Sequence, residues 1–411
     1  MHVKTANRSS RDTYYTLVPL NYILRFFNLS CIYRKHNQLK ICWSMMRSIL
    51  YVMIFGFLNF FFLFKKIQRL DVIRNKTFLV TFSDTIQMSY LIGYFAYTVD
   101  LFYVYKYGRD GLLKYFKTFD HIDQILGMTC YDEIRKLIVR TLVICIVFFI
   151  TSSSVDYVCW VEGFGWLSPT LYSLDYFYFF LSTLMAVDGM SHVVQLEYRL
   201  KLIKNLLQGY YNPMNTKTVP NPNKVWAVRS DTGNLQLESL KTLSHGRFIE
   251  AIGFNRCYLL LLDQTSYINS KFGVRVLIFC INLLVNMINL LNVSIRFATG
   301  SMVSPKGVSR LPSFSSLLRF LNWSAVGVSI VLHCEKVYRE EEKIVEVIDL
   351  ILVNKVNSDT LTTTLVNFRN LLLTRPIRFH ATHFFTVRYP LLVSIISSAV
   401  TYTIIMLQSI K

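Results

Sequence analysis

The sequence predicts an all-α, polytopic membrane protein with seven transmembrane helices. Three observations carry that prediction. Hydrophobic residues make up 53% of the 411, and mean hydropathy is +0.36. Seven segments are long and apolar enough to cross about 30 Å of hydrocarbon. Lys and Arg crowd into alternate connections, as the positive-inside rule requires.

The expected spans are roughly 44–64, 78–104, 137–159, 169–196, 272–296, 314–334 and 386–408. The second and fourth carry acids, and Pro390 interrupts the last. The connections 1–43, 105–136, 197–271 and 335–385 together hold 30 Lys and Arg, against 8 on the other side. The N-terminus is therefore expected in the cytoplasm and the C-terminus outside. The first outer connection, KKIQRLDVIRNK, runs against this rule, but the total outweighs it.

The formal net charge of +19 reads as basic cytoplasmic loops, not as a nucleic-acid surface. The first 27 residues lack the unbroken apolar core and small-residue cleavage site of a signal peptide. The 8 cysteines are scattered without a CxxC, which argues against a disulfide framework or a zinc site. No metal or cofactor is expected. His380 and His383 share the tetrapeptide HATH but have no third ligand nearby in sequence.

Between the spans, helices extend into the cytoplasm. Residues 109–128 place Leu112, Leu113, Phe116, Phe119, Ile122, Ile125 and Leu126 at helical spacing. Residues 335–356 continue the sixth span as a charged, then amphipathic helix. The stretch 212–234, with Pro213, Pro220, Pro222 and Gly233, reads as a loop. A cytoplasmic anchor is expected over 197–211, 236–271 and 335–385. Its face Ile344, Val347, Ile348 and Ile351 needs burial, and the expected cover is a neighbouring subunit.

The last span carries a polar stripe. At 100° per residue, Ser394, Ser398, Thr401, Ile405 and Gln408 lie within about 40° of one direction. Such a stripe faces another helix or water. One stripe does not close a pore, so a pore needs the same helix from several subunits.

Thr401-Tyr402, five mostly apolar residues and then Gln408, at the end of a seven-span chain, resemble the insect gustatory receptor family. That family's signature is Thr-Tyr, five hydrophobic residues, Gln-Phe. The resemblance covers about the last 25 residues by motif and the rest by architecture. It implies a tastant-gated cation channel, homotetrameric or heteromeric with related receptors, in the plasma membrane of chemosensory neurons. It implies a pore lined by the last span, an anchor built from cytoplasmic helix ends, and a ligand pocket in the outer halves of the second to sixth spans. Ile405, Gln408 and Ser409 should then face the pore. Ser409 stands where the family has Phe, which shifts hydrophobic gating toward Ile405. Tyr402, about 80° off the stripe, is expected to pack on a neighbouring helix.

The outer halves then supply pocket candidates. They are Asp84, Gln87 and Tyr90; Thr151, Ser152, Asp156 and Trp160; Tyr172, Asp175 and Tyr176; and Arg319, Asn322 and Trp323. Ionisable groups inside a membrane are costly and point to function or to pairing. Aromatic faces beside a few polar groups suit small organic tastants. Asp84 is the expected partner of Arg319. Asn282, Asn286 and Asn289, at i, i+4 and i+7, are expected to bond between helices. Asn75-Lys-Thr77 is a glycosylation sequon in an outer loop.

Other classes fit less well. A G-protein-coupled receptor would have the opposite orientation and an Asp-Arg-Tyr-like triplet. An aspartyl intramembrane protease needs two aspartates in fixed contexts, and VDYV, LDYF and VDGM do not supply them. No transporter-type repeat is visible. The chain is therefore not expected to be an enzyme. A heteromer subunit without its own ligand response remains the main alternative.

Overall fold

The computed structural model describes residues 12–35, 38–41, 45–73, 89–108, 110–166, 170, 173–211, 236–300, 310–353 and 359–408. Helix α1 (Thr13–Phe26) leads into an antiparallel pair, β1 (Ile32–Lys35) and β2 (Gln38–Ile41). There follow α2 (Met45–Ile73), α3 (Ser89–Gly108), α4 (Asp110–Leu126), α5 (Tyr131–Phe164) and α6 (Ser173–Tyr211). The chain continues through α7 (Gln236–Ala298), α8 (Arg310–Val353) and α9 (Asp359–Thr374). A second antiparallel pair, β3 (His380–Ala381) and β4 (Phe385–Thr386), precedes α10 (Tyr389–Gln408).

Five of these helices, α2, α5, α6, α7 and α8, are long and apolar enough to cross a bilayer. The second expected span is described from Ser89 as α3, and the last is α10, apolar over Tyr389–Ile405. Pro390 does not interrupt that helix. It sits in the first turn, where a missing N–H costs nothing.

At 1.5 Å per residue, α7 with 63 residues is about 95 Å long and α8 with 44 is about 66 Å. Both exceed the hydrocarbon thickness, so they project well beyond the bilayer. They do so at the end that carries the basic connections, here called the basic end.

Helix α6 is buried on all sides, with Leu181, Leu184, Met185, Val187 and Met190 each below 10% exposed. It packs on α8, α3 and α5, and α8 packs in turn on α7 and α5. Helix α2 is peripheral. Met53, Phe57 and Phe60 are about two-thirds exposed, a surface that only lipid covers without penalty. Its inward face carries one amide, Asn59, whose Nδ2 donates to Phe55 O and to Tyr178 Oη.

The largest core lies at the basic end. It joins α4, the start of α5, the ends of α6 and α8, the middle of α7, and α9. The expected helix over 109–128 is α4. Leu112, Phe116, Phe119 and Ile122 are buried there. Ile125, 38% exposed, falls on the other side.

Helix α1 was not expected. Asp12 caps it, accepting from Tyr15 N at 2.9 Å, and Leu17, Leu20 and Leu24 face inward. Its Thr13 and Thr16 join a buried polar node. Arg199 Nε donates to Asp123 Oδ1 at 2.8 Å, and Nη2 donates to Oδ2 at 2.7 Å and to Thr13 Oγ1 at 2.8 Å. Its Nη1 donates to Gln195 O and Oε1. The guanidinium lies 3.9 Å over the Phe119 ring. All its donor nitrogens are therefore used, which a buried charge requires.

Two expectations are corrected here. Ile344 and Ile348 are fully buried, and Val347 and Ile351 nearly so, inside the chain's own core. That face is covered by the same subunit and does not await a neighbour. The asparagine ladder is also internal to one helix. Asn286 Nδ2 donates to Asn282 O and Oδ1, both at 2.8 Å.

Candidate functional site

At the end of the bundle opposite the basic loops, three helices converge on one guanidinium. Arg319 of α8 donates through Nη1 to Asp156 Oδ2 of α5 at 3.2 Å. Its Nη2 donates to Asp175 Oδ2 of α6 at 2.7 Å. Asp156 is 1% exposed and accepts two more bonds, from Trp160 Nε1 at 3.1 Å and Tyr176 Oη at 2.5 Å. The Tyr176 ring also carries Arg319 over its face at 4.8 Å. One turn deeper, Asn322 Nδ2 donates to Ser152 Oγ at 2.7 Å. Trp323 is 1% exposed and stacks on Phe179 at 4.2 Å between centroids.

The structure thus brings together Ser152, Asp156, Trp160, Asp175, Tyr176, Arg319, Asn322 and Trp323. Thr151 does not join them; it is exposed and bonds Val147 O within α5. Asp84, Gln87, Tyr172 and Asn75 lie outside the described residues, and Tyr90 lies in the first turn of α3. Arg319 takes Asp156 and Asp175 as partners, helices that sequence spacing does not connect. One cation between two carboxylates leaves a formal excess of one negative charge within this trio.

The last helix contributes a different kind of site. Ile395, Ala399 and Thr403, at i, i+4 and i+8, form the face of α10 packed into the bundle. The stripe points almost directly away. Ser394 and Thr401 are exposed, and their hydroxyls bond their own backbone, at Pro390 O and Ser397 O. Ser398 is half-buried, Ile405 is 53% exposed and Gln408 is exposed. Tyr402 is 54% exposed and Ile404 49%. Ser409 lies outside the described residues.

The entry to α10 is fastened to α8 by a ladder of side chains one turn apart. Glu335 Oε1 accepts from Tyr389 N at 3.1 Å. Tyr338 Oη accepts from Phe379 N at 2.9 Å and donates to Val387 O at 3.2 Å. Glu341 accepts from Ile377 N at 2.9 Å, from Arg378 Nη1 at 3.2 Å and from Tyr258 Oη of α7. Burial raises the Glu341 carboxyl above its ordinary value against the pull of these donors.

The β3–β4 turn has positive φ at Thr382 (49°) and His383 (64°), and Phe384 N bonds Ala381 O at 2.9 Å. That is the tight hairpin geometry that Gly and Asn ordinarily occupy, so the two residues are held under strain. Gly273 of α7 makes room for it. A Cβ there would stand 3.0 Å from His380 O and 3.1 Å from Thr382 N. His380 and His383 stack at 5.9 Å, and the described residues contain no group of three metal-ligating side chains.

Sequence reasoning missed a chain of buried charges across α3, α6 and α7. Asp188 faces Lys271 at 3.5 Å and His192 at 3.6 Å, and Asp100 faces Arg275 at 2.5 Å. The signal was present as i, i+4 pairs, Asp188 with His192 and Lys271 with Arg275, that leave two helices complementary.

Residues 17–411 match the model of the family described as the 7tm chemosensory receptor. The fold is similar to that of the insect olfactory receptor OR5 from Machilis hrabei, with a TM-score of 0.57 at 12% identity. That alignment covers 96% of this chain and 98% of that one. The same receptor in complex with eugenol gives a TM-score of 0.53 at 10% identity, covering 97% and 98%. No curated protein matches the chain in sequence. With the family model spanning nearly the whole chain, this multi-pass membrane protein belongs to the seven-transmembrane chemosensory receptor family.

Proposed function

We propose that the chain is a subunit of a ligand-gated, non-selective cation channel that detects small organic tastants in the plasma membrane of chemosensory neurons. In this reading four subunits surround a pore lined by α10, and the chain is not an enzyme. The observation that carries the reading is the orientation of the last helix. Ile395, Ala399 and Thr403 occupy the packed face, and Thr401, Ile405 and Gln408 point away from it. A polar stripe turned away from the packed face fits the lining of a shared aqueous path.

The Asp156–Arg319–Asp175 cluster is the proposed ligand contact. Its excess negative charge and its Tyr176 and Trp160 rings favour a cationic or aromatic compound, the chemistry of many bitter substances. A taste role rests on the Thr401-Tyr402…Gln408 motif.

The test is expression of the chain alone in oocytes, with currents recorded against a tastant panel. Ligand-evoked cation current supports the reading. Silence alone, with current restored by a co-expressed relative, favours an obligate heteromer subunit, which Ser409 in place of Phe also suggests. Ligand responses that need a G protein and carry no direct current overturn the reading.

A further inference from the structure

We infer that the basic half of the bundle holds a second small-molecule site, fitted to a neutral, oxygen-bearing apolar compound such as an alcohol or a ketone. A cavity of about 80 Å³ lies between α3, α6, α7 and α8, and the β3–β4 hairpin closes one side. Asp156, Asp175 and Arg319 do not line it, so it is separate from the outer cluster. Its walls are chiefly apolar, with Met185, Met190, Phe272, Phe279 and Phe379 among them. Flexible thioethers beside aromatic rings adapt to varied small shapes.

One buried charge in the wall of this space has a donor to spare. Arg275 lines the cavity and is 7% exposed. Its Nε sits 2.5 Å from Asp100 Oδ1, and its Nη2 donates to Asp100 O at 3.2 Å. Nη1 is buried and has no hydrogen-bond partner. A buried guanidinium N–H without an acceptor is unusual and calls for one. Asp100 already offsets the charge of Arg275, so a second carboxylate would face that aspartate. A hydroxyl or carbonyl oxygen satisfies Nη1 without that repulsion.

The cavity has room for on the order of five water molecules, so its occupant is small. Phe379, His380 and Val387 belong to both the cavity wall and the hairpin that enters α10. Occupancy therefore bears on the position of the last helix. This consequence for gating rests on the channel reading, whereas binding does not.

The test uses the full-length chain purified in detergent and photolabelled with 3-azibutanol, a diazirine-bearing alcohol of small size. Adducts are mapped by mass spectrometry. Labelling within 182–193 and 268–279, reduced at least fivefold by excess butan-1-ol, supports the site. Ala186→Phe fills the cavity and should abolish that labelling. Gly189→Val is a second filling variant, because a Cβ there meets Phe272 at an ordinary 3.6 Å. Arg275→Lys can keep the charge pair with Asp100 while withdrawing Nη1, and should cut labelling several-fold. Adducts confined to the outer segments 152–176 and 319–323, or to the lipid-facing sides of α2 and α5, overturn the inference. So does saturable labelling that both filling variants leave intact, and so does a cavity that takes water only. No current is measured, so failure here is distinct from failure of the channel reading.

Discussion

Tyr338 holds both ends of the hairpin that feeds the last helix, donating to Val387 O at 3.2 Å while accepting from Phe379 N at 2.9 Å. The donor and acceptor roles of one hydroxyl are both used, and the residue is 1% exposed. This hydroxyl therefore ties α8 to the start of α10, and in the channel reading it would carry motion of one to the other. Tyr338→Phe leaves a buried N–H and a carbonyl unpaired, at about 1–3 kcal/mol. The expected outcome is a protein that assembles and binds ligand but opens poorly. Ligand affinity from binding and maximal current from recording check it. A parallel loss of both contradicts a coupling role.

The outer cluster makes a charge-specific prediction. Asp175→Asn keeps a hydrogen-bond acceptor for Arg319 but removes the excess negative charge. Responses to a quaternary ammonium tastant should shift about tenfold to higher concentration, a change of about 1.4 kcal/mol. Responses to uncharged aromatic compounds should hold. Dose–response curves for both classes on the same variant decide this. An equal shift for both classes assigns the cluster to bundle stability instead.

Stability of the basic end should hinge on Asp123. Asp123→Ala strips Arg199 of its bidentate partner inside the core, where the guanidinium is fully buried. Breaking one side of such a pair costs about 3–5 kcal/mol. Thermal unfolding in detergent, followed by size-exclusion chromatography, should show loss of the folded peak. Conversion of the pair to a matched apolar couple is expected to be much milder.

Which parts were legible follows from what periodicity encodes. The spans were readable as apolar runs of bilayer length, and α4 because its apolar residues repeat at helical spacing. Ile344, Val347, Ile348 and Ile351 also announced a buried face, but periodicity does not say what buries it; the structure supplies the chain's own core. Arg319 announced a partner, but the choice of Asp156 and Asp175 depends on how three helices cross. The strands β3 and β4 have two residues each, too few to show alternation, and their turn uses Thr382 and His383 where glycine would be the signal. The polar stripe on α10 was readable because it is a property of one helix.

A pH effect is expected from Asp120 on α4. Burial, with repulsion from Asp12 and Asp123, pushes its carboxyl up to about 6, against the pull of Arg199 and Arg34. A raised carboxyl favours folding when protonated. Its stabilisation is full below the unfolded value near 4 and is lost as pH rises through about 6. The side chain is partly exposed, so solvent screening limits the effect to about 1 kcal/mol. Asp120→Asn should therefore raise the melting temperature at pH 7.5 and flatten its dependence between pH 4 and 6. An unchanged profile removes Asp120 from the account.

The proposed gate rests on the geometry of α10. Ile395, Ala399 and Thr403 fix one face against the bundle, which leaves Ile405 on the far side and about half exposed. In the proposed tetrameric channel, four such isoleucines around a fourfold axis would form a dry ring that stops ions without any charge. Gln408 stands about one turn further along the same stripe and is exposed; in the channel reading its amide would meet water and passing cations rather than hydrocarbon. Ile405→Ser should wet the ring and give current without ligand. Gln408→Ala should change conductance or ion preference while ligand affinity holds. Ser409→Phe should reduce basal leak. Val400 and Ile404 form a second exposed face beside the stripe, which the channel reading assigns to a neighbouring subunit. Single cysteines from 398 to 409, probed with a charged thiol reagent in the open state, separate the two faces. Block at 401, 405 and 408 with silence at 400 and 404 supports this assignment, and the reverse pattern turns the helix round and transfers the gate to Ile404.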